Sequence, residues 1–265
     1  MSRVRIGAVS FLNTRPLVHG LQSCAEYALS FDTPGNLAER LRLGEIDAGL
    51  IPTVEHLRGT GESYVPGIGI ASDGPVRTVK LYSRVPFDAI RDVAVDGRSR
   101  TSVALLRILL SEKHGVTPDF YSHRADLHEM LQTHEAALVI GDAAFPDAGA
   151  PHILDLGQAW KDLTGLPFVY AVWTVNEGVD RAWLASVLRD SLAAGLSHLE
   201  DIAVQAVGSV PGEDAKSLLH YLRDNLHYVL GDRELQGIQT FQKLCQKYNL
   251  LPASVGPRTL VAAHS

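Results

Sequence analysis

The feature that most constrains the fold is an alternation of apolar runs near the amino terminus. Residues 27–31 have the composition of a strand, and residues 45–52 return as another that ends at Pro52. Between them, Thr33 and Pro34 are residue types that begin a helix, and Gly44 is typical of its end. A strand–helix–strand unit joins two parallel strands, so the sequence predicts an α/β fold with a parallel sheet.

A polar turn follows the first predicted strand, residues 4–9. Ser10, Asn13 and Arg15 come directly after that strand. Ligands of open α/β sheets bind beyond the carboxyl ends of the strands, which makes these side chains candidates for ligand contacts. Pro16 restrains the shape of the turn. The alternative is that Ser10 or Asn13 only caps the backbone of a following helix.

A second polar segment, residues 99–102, leads into a helix whose apolar residues recur at helical spacing as far as Gly115. The amino terminus of such a helix attracts anions through its free N–H groups and its dipole. Arg98 and Arg100 lie close by in sequence, so this segment is a candidate anion site. Simple capping of the helix by one of the hydroxyls is the other interpretation.

Two strong strand patterns, residues 79–83 and 167–174, flank a second set of strands and helices. If both strands cross between two units, the second unit is an insertion in the first. The predicted lobes are then residues 1–84 with 174–265, and residues 85–173. Within the inserted lobe, residues 151–165 have the composition of a loop. Amphipathic helices are predicted for residues 181–199, 214–230 and 233–248.

The composition excludes several classes of protein. The chain has 265 residues, of which 46% are hydrophobic and 20% charged, unlike a disordered chain. Its formal net charge of -6 argues against a nucleic-acid partner, because such proteins carry a basic excess. No signal-peptide pattern and no membrane-spanning apolar run occur, so we expect a cytoplasmic protein without a membrane partner. Cys24 and Cys245 are too few for a disulfide framework.

Recognisable catalytic and metal-binding motifs are missing from the sequence. None of the eleven histidines has the spacing of a known zinc motif, and no nucleophile elbow occurs. Asp47, Glu55 and Asp142 stand at candidate loop positions, but the sequence pairs none of them as acid and base. The residues alone therefore predict a cleft for a small anion, with no metal, and do not identify an enzyme.

Several motifs, taken in order, resemble the chorismate dehydratase family of the futalosine route of menaquinone biosynthesis. The likeness extends over essentially the whole chain. The motifs that carry it are residues 9–13 with Pro16 and Leu17, residues 44–47 with 50–52 and Glu55, residues 99–103, residues 140–144 and residues 166–173.

This resemblance implies a fold and a reaction. The family is similar to type II periplasmic binding proteins, in which two α/β lobes are joined by two crossing hinge strands and hold a ligand between them. The implied reaction eliminates water from chorismate and gives 3-[(1-carboxyvinyl)oxy]benzoate, with no cofactor. Aromatisation supplies the driving force, so the protein's main task is to position the substrate and stabilise developing charge.

The resemblance also implies residue roles. Asn13 is expected to contact the leaving hydroxyl and is the candidate catalytic residue. Substrate-binding roles are implied for Ser10 in the same turn, for Ser83, Thr101 and Ser102 as carboxylate ligands, for Gly141, Asp142 and Ala143 as lining of the second lobe, and for Tyr170 as a stacking or hydrogen-bonding side chain. The base for the C3 proton is either a protein group or the substrate's enolpyruvyl carboxylate, and the absence of a base in the motifs favours the substrate.

Two other functions are consistent with such a fold. The first is a non-catalytic small-anion binding protein or sensor, because this architecture serves mostly for binding. A secreted receptor needs a signal peptide or lipid anchor and a regulator needs a DNA-binding domain, and we find no pattern for either. The second is the related 1,4-dihydroxy-6-naphthoate synthase, whose amino-terminal motif differs from Ser10–Asn13. We therefore expect a chorismate dehydratase, and the sequence predicts no oligomeric state.

Overall fold

Two β-sheets organise the chain in a computed structural model that describes residues 3–23, 26–145 and 149–253. The strands of the described residues are β1 (Val4–Val9), β2 (Tyr27–Asp32), β3 (Ala48–Pro52), β4 (Ser63–Ser72), β5 (Val79–Ser83), β6 (Asp92–Asp96), β7 (Asp119–His123), β8 (Ala136–Ile140), β9 (His152–Asp155), β10 (Phe168–Val175) and β11 (His227–Val229). The helices are α1 (Pro34–Arg42), α2 (Thr53–Leu57), α3 (Thr101–Leu109), α4 (Leu127–Thr133), α5 (Leu156–Thr164), α6 (Arg181–Ser197), α7 (Leu199–Ala206), α8 (Ala215–His220) and α9 (Asp232–Lys247).

The first sheet has the strand order β11-β4-β10-β3-β1-β2. β1 pairs in parallel with both β2 and β3, which confirms the parallel unit predicted from residues 27–52. The helix within that unit begins as predicted, because the Thr33 hydroxyl accepts the Asn36 N–H and Pro34 takes the first position. Gly44 follows its end with a φ of +72°, the left-handed conformation that glycine adopts without strain.

The second sheet has the order β7-β6-β8-β5-β9. β6 pairs in parallel with β7 and β8, while β5 pairs antiparallel with β8 and β9. We call the part of the molecule built on this sheet the second lobe, and the part built on the other sheet the first lobe. The two lobes agree with the α/β architecture that the sequence predicts.

The predicted lobe boundaries need correction. β5 belongs to the second sheet, so the second lobe starts near residue 79 and not at residue 85. β10 lies between β3 and β4 in the first sheet, so the second lobe has ended before residue 168. The two strands predicted to cross between the lobes therefore lie beside the crossings. Residues 73–78 make one crossing, and the segment between β9 and β10 makes the other. The composition of a segment can predict that it forms a strand, but only its hydrogen-bonded neighbours show which sheet it belongs to.

Two element predictions are wrong. Residues 151–165, predicted as a loop, form β9 and α5, whose start is capped because Asp155 accepts the N–H groups of Gly157 and Gln158. The buried Trp160 fixes this helix by donating to the Pro167 carbonyl at 3.1 Å. Residues 214–230, predicted as one helix, form α8, a π-helical turn at Tyr221–Asn225 and the edge strand β11. In the described part of the chain, no helix has both the length and the apolar character needed to cross a membrane.

Candidate active site

The two lobes enclose a cleft at the carboxyl ends of β1, β3 and β8. The space between the walls is about 600 Å³, open solvent at its mouth included. Its walls are mostly apolar. The polar groups along them are the Asn13 amide, the Arg100 guanidinium and the hydroxyls of Thr78, Ser99, Thr101, Ser102 and Tyr170.

Asn13 enters the cleft from a 3-10 turn at Leu12–Val18, directly after β1. Most side chains of this turn are buried and hold it against the first lobe. The Ser191 hydroxyl of α6 lies 3.0 Å from the Leu17 carbonyl and 2.9 Å from the His19 carbonyl, so helix and turn are tied together. The turn is therefore a fixed support for the Asn13 amide.

The second-lobe wall is the amino terminus of α3, where the loop after β6 turns into the helix. The Ser99 hydroxyl is buried, with its residue 3% exposed, and the described residues offer it no hydrogen-bond partner. Thr101 accepts the Val54 N–H of α2 at 3.3 Å, a hydrogen bond that joins the two lobes. Free N–H groups at the start of α3 and a buried hydroxyl without a partner make this wall suited to an anion.

The two arginines near this helix have different surroundings. Arg98 pairs with Asp96 at 2.6 Å, lies over the Phe11 ring at 5.6 Å, and its pKa is raised by the hydrogen bond to Asp96. Arg100 lines the cleft with its side chain 43% exposed; it donates to the Gly97 and Ser99 carbonyls, and its nearest carboxylate, Glu55, is 3.9 Å away. Arg100 is therefore the guanidinium available to a ligand, while Arg98 serves the contact between the lobes.

A third wall is the turn after β8, and it meets the β1 turn across the cleft. Gly141 lines the cleft with a φ of +67°, and a Cβ there would lie 2.9 Å from the Phe11 ring. The Asp142 carboxylate accepts the Leu12 N–H at 3.2 Å. Burial raises the pKa of Asp142, against the opposing effects of that N–H, Arg15 and Arg98. Gly141 and Asp142 thus bring the lobes together at the cleft mouth.

Tyr170 extends from β10 and lines the cleft. Its hydroxyl lies 3.0 Å from the Ser72 hydroxyl, whose own proton goes to the Gly74 carbonyl at 3.1 Å. Tyr170 is therefore the donor to Ser72. Burial raises the Tyr170 pKa well above its usual range, so the phenol keeps its proton. This geometry leaves the ring for stacking.

With the geometry in place, comparison with known proteins gives the family. A family model described as menaquinone biosynthesis matches residues 4–247, nearly the whole chain. The chain belongs to the menaquinone biosynthesis family.

Two relatives from Thermus thermophilus show which members of the family this chain is similar to. It is 29% identical over 256 residues to the chorismate dehydratase of Thermus thermophilus, covering 89% of this chain and 93% of that one. A second relative, the 1,4-dihydroxy-6-naphtoate synthase of the same organism, is 32% identical over only 130 residues, 46% of each chain. The resemblance seen in the sequence to the chorismate dehydratase family is therefore confirmed, and the synthase is the weaker match.

Solved structures confirm the fold of this menaquinone biosynthesis protein. The periplasmic aliphatic sulphonate binding protein SsuA from Escherichia coli superposes with a TM-score of 0.65 at 17% identity, covering 100% of this chain and 96% of that one. At this identity the likeness concerns architecture alone. It agrees with the predicted arrangement of two α/β lobes around a ligand cleft.

Three predicted site residues of this menaquinone biosynthesis protein lie outside the cleft. Ser10 is exposed and borders a neighbouring cavity with Arg15; Val9 and Phe11 on either side of it line both that cavity and the cleft, but Ser10 does not line the cleft. Ser83 ends β5, whose other end, Val79, reaches the cleft. Its hydroxyl donates to the Val85 carbonyl at 2.7 Å.

Ala143, the third of them, is exposed and borders a surface cavity beside α4. The structure thus brings together Asn13, Thr101, Ser102, Gly141 and Tyr170 in the cleft, with Asp142 at its mouth.

Sequence reasoning missed two polar residues at the cleft. Thr78 stands on the crossing segment and lines the cleft, and Tyr221 lies behind it, from a π-helical turn far along the chain. The sequence gives Tyr221 no signal, because only tertiary structure brings this turn to the cleft.

The described residues offer few side chains for metal binding or thiol chemistry. Within residues 3–23, 26–145 and 149–253, no group of three or more His, Cys, Asp or Glu side chains could hold a metal ion. Burial raises the pKa of the Cys245 thiol to about 12, so it stays protonated. Cys24, the other cysteine, lies outside the described residues.

Proposed function

We propose that the chain is a chorismate dehydratase, a carbon–oxygen lyase that converts chorismate into 3-[(1-carboxyvinyl)oxy]benzoate on the futalosine route to menaquinone. The observation that carries the proposal is a single cleft shared by the Asn13 amide, the Arg100 guanidinium and the unpartnered Ser99 hydroxyl. The relative named chorismate dehydratase, matched over 93% of its length, supports the same reaction.

The carboxylates of chorismate need charged and hydrogen-bonding anchors. The start of α3 supplies N–H groups, Ser99 and Ser102 supply hydroxyls, and Arg100 supplies a cation. Hydrogen bonds from ionised groups are stronger than neutral ones, so a carboxylate here would be held firmly. The apolar walls and the Tyr170 ring suit the cyclohexadiene ring, which lies between the two carboxylate-bearing ends of the substrate.

The elimination then breaks two bonds of the bound ring. The C4–O bond breaks as the hydroxyl leaves, and the electrons of the C3–H bond complete the aromatic ring. The Asn13 amide donates a hydrogen bond to the leaving oxygen, where negative charge develops. The C3 proton and the hydroxide together make one water. The step is redox-neutral, so its atoms and electrons balance without a cofactor.

The base in this proposal is the enolpyruvyl carboxylate of the substrate. Among the described residues that line the cleft, none is Asp, Glu, His, Lys or Cys, the usual side-chain bases. The enolpyruvyl group is attached at C3 and carries a carboxylate on a short flexible link. Intramolecular groups of this kind reach high effective concentrations, so a bound conformer that aims the carboxylate at the C3 hydrogen supplies the base.

The test is to incubate the purified chain with chorismate, without added cofactor or metal, and follow mass and ultraviolet absorbance. We expect loss of one water and the appearance of an aromatic enolpyruvyl ether, greatly reduced in Asn13→Ala. Ser10→Ala is the matched control, because Ser10 is a polar residue close to Asn13 in sequence that does not line the cleft.

Other outcomes identify the rival functions. Chorismate that binds and returns unchanged would favour the non-catalytic binding protein, the use to which SsuA puts this fold. Turnover of a later intermediate, and not of chorismate, would favour the naphthoate synthase. A biosynthetic role also supports the proposal that the chain works in the cytoplasm, which fractionation of the native host would test.

A further inference from the structure

A second cavity lies beside the cleft, and no step of the proposed reaction takes place in it. Its lining comes from α3, from β6 and β7, and from Arg58 and Leu250 outside the second lobe, so we call it the lobe-junction cavity. Within α3, Ser102 lines the cleft, while Arg107 lines this cavity. The cavity measures about 260 Å³, several times the roughly 30 Å³ that one molecule takes up in liquid water, so it has room for a tetrahedral anion.

Positive side chains outnumber negative ones in this lining. Three arginines line the lobe-junction cavity, in a chain whose formal net charge is -6. Asp96 is the one carboxylate that the described residues contribute to the lining, and Arg98 already pairs with it at 2.6 Å. Arg58 is paired with Glu55 at 2.8 Å. Both carboxylates are therefore engaged by an arginine, and two of the lining arginines remain.

Arg107 is the first of these two. It is exposed on α3, and its guanidinium carbon lies 3.9 Å from the centre of the Phe120 ring, which fixes the plane of the cation. In the described part of the chain, no carboxylate lies within ion-pair distance of Arg107, and Asp119 attracts it without a hydrogen bond. All five N–H groups of this guanidinium are thus available to an anion in the cavity.

Arg100 is the second, and together with Ser99 it lines both the lobe-junction cavity and the cleft. Arg100 uses Nη1 for the Gly97 and Ser99 carbonyls, and its Nε lies 3.9 Å from the nearest carboxylate, that of Glu55. Nε and Nη2 therefore remain for a ligand. The Ser99 hydroxyl is buried and has no partner among the described residues. An anion in the cavity thus draws on two side chains that a ligand in the cleft also uses.

We propose that the lobe-junction cavity is a second anion site, which binds the phosphate group of a small molecule and weakens the binding of a ligand in the cleft through Arg100. The four arginines and two carboxylates of this region leave two positive charges over, and a phosphate carries roughly 1.5 to 2 negative charges at pH 7. The planar fork of arginine also matches phosphate oxygens. Because both anions use Arg100, each lowers the affinity of the chain for the other. The site itself does not depend on the proposed function.

Calorimetric titration of the purified chain tests the site without chorismate. The probes are inorganic phosphate and glycerol phosphate, at fixed ionic strength, and the tighter of the two identifies the source of the phosphate group. We expect one bound phosphate per chain, with an affinity that falls roughly 10- to 100-fold in Arg107→Gln, the effect of one hydrogen bond from a charged group. Arg91→Gln is the matched control, because it removes the same charge from an exposed residue of the same lobe and should keep the affinity.

Two further titrations could overturn the site. Ser102→Ala should leave the affinity for phosphate unchanged, because Ser102 lines the cleft but not the lobe-junction cavity. An affinity that falls in Ser102→Ala and not in Arg107→Gln would place the phosphate in the cleft and contradict the proposal. Acetate, which carries a single charge, should bind much more weakly than phosphate. Equal affinities for the two anions would contradict a site built for a phosphate group.

Kinetics on chorismate tests the coupling, and this part rests on the proposed function. Phosphate should raise the KM of the wild type and leave kcat unchanged. Arg107→Gln should have the wild-type KM without phosphate and should lose the rise. A rise that persists in Arg107→Gln would mean direct competition in the cleft and would overturn the coupling. A wild type that does not dehydrate chorismate would overturn the proposed function, and calorimetry would still decide whether the anion site exists.

Discussion

The two walls of the cleft differ in how their polar groups are held. On the first-lobe wall, Asn13 sits on a buried turn, and the Thr14 hydroxyl donates a hydrogen bond to its amide oxygen at 3.3 Å. On the second-lobe wall, the Ser99 hydroxyl is buried without a described partner, and Arg100, which donates to the Gly97 and Ser99 carbonyls, has its nearest carboxylate 3.9 Å away. The first wall thus presents a single amide, while the second presents several groups suited to an anion. Under the proposed function, the first wall serves bond breaking and the second serves binding.

The strongest test of this contrast is Asn13→Ala, which should lower kcat without weakening binding. Loss of one donor to a developing oxyanion lowers kcat by roughly 10²- to 10³-fold in other enzymes, and we expect a similar loss here. KM should stay within about threefold, because the carboxylates are held elsewhere. Steady-state kinetics on chorismate measures both constants, with Ser10→Ala as the control. An Asn13→Ala enzyme with raised KM and unchanged kcat would assign the turn to binding.

Arg100→Gln should have the opposite signature. A hydrogen bond from a charged group contributes about 1.5–3 kcal/mol, so KM should rise by roughly 10- to 100-fold while kcat changes little. Arg91→Gln is the matched control, since Arg91 is a surface residue, 83% exposed, that pairs with Glu135. A fall in kcat as large as that of Asn13→Ala would show that the second wall also acts on the bond-breaking step.

Gly141→Ala tests the contact between the walls. The new Cβ would lie 2.9 Å from the Phe11 ring, and the φ of +67° disfavours any L side chain. Left-handed backbone alone lowers the free energy of unfolding by about 1–2 kcal/mol, and the clash adds to this. Gly178→Ala isolates the backbone effect, since Gly178 has a φ of +84° and no atom within 4 Å of its would-be Cβ. Equal losses of stability in denaturant unfolding would mean that the lobes do not press together at Phe11.

The smallest expected effect is a pH dependence from Asp142. Burial raises the pKa of this carboxyl in the folded chain, so folding favours the protonated acid. Its contribution to stability is then present below the ordinary pKa of 3.8 and is lost as the pH rises through the folded-state value. Relative to Asp142→Asn, the wild type should therefore lose free energy of unfolding as the pH increases above about 4. Parallel curves for the two proteins would contradict this.

Local chemistry predicted much of the fold. Thr33, Pro34 and Gly44 mark the ends of α1 correctly, because capping and left-handed backbone depend on neighbouring residues only. The strand predicted over residues 4–9 matches β1, and its carboxyl end reaches the cleft as expected for a strand of an open α/β sheet. The position of Asn13 in the cleft was predicted by the same rule, because Asn13 follows the carboxyl end of β1.

Contacts between distant residues could not be predicted. The Leu12 N–H meets Asp142 across 130 positions, and the hydrogen bond between the Tyr221 and Thr78 hydroxyls spans 143. Ser83 was misplaced because the sequence located its strand but not which end of that strand reaches the cleft. The helix within residues 151–165 did have a local signal, because Leu156, Ala159, Trp160 and Leu163 recur at helical spacing, and the loop prediction overlooked it.

The position of β10 has a consequence for how the chain acquires its structure during synthesis. β10 lies in the middle of the first sheet, between β3 and β4, yet it follows the whole second lobe in sequence. When a ribosome has released residues up to about 160, all strands of the second sheet are available, while the first sheet still lacks a central member. We therefore expect the second lobe to gain hydrogen-exchange protection first in pulse-labelled refolding. Simultaneous protection of both sheets would contradict this order.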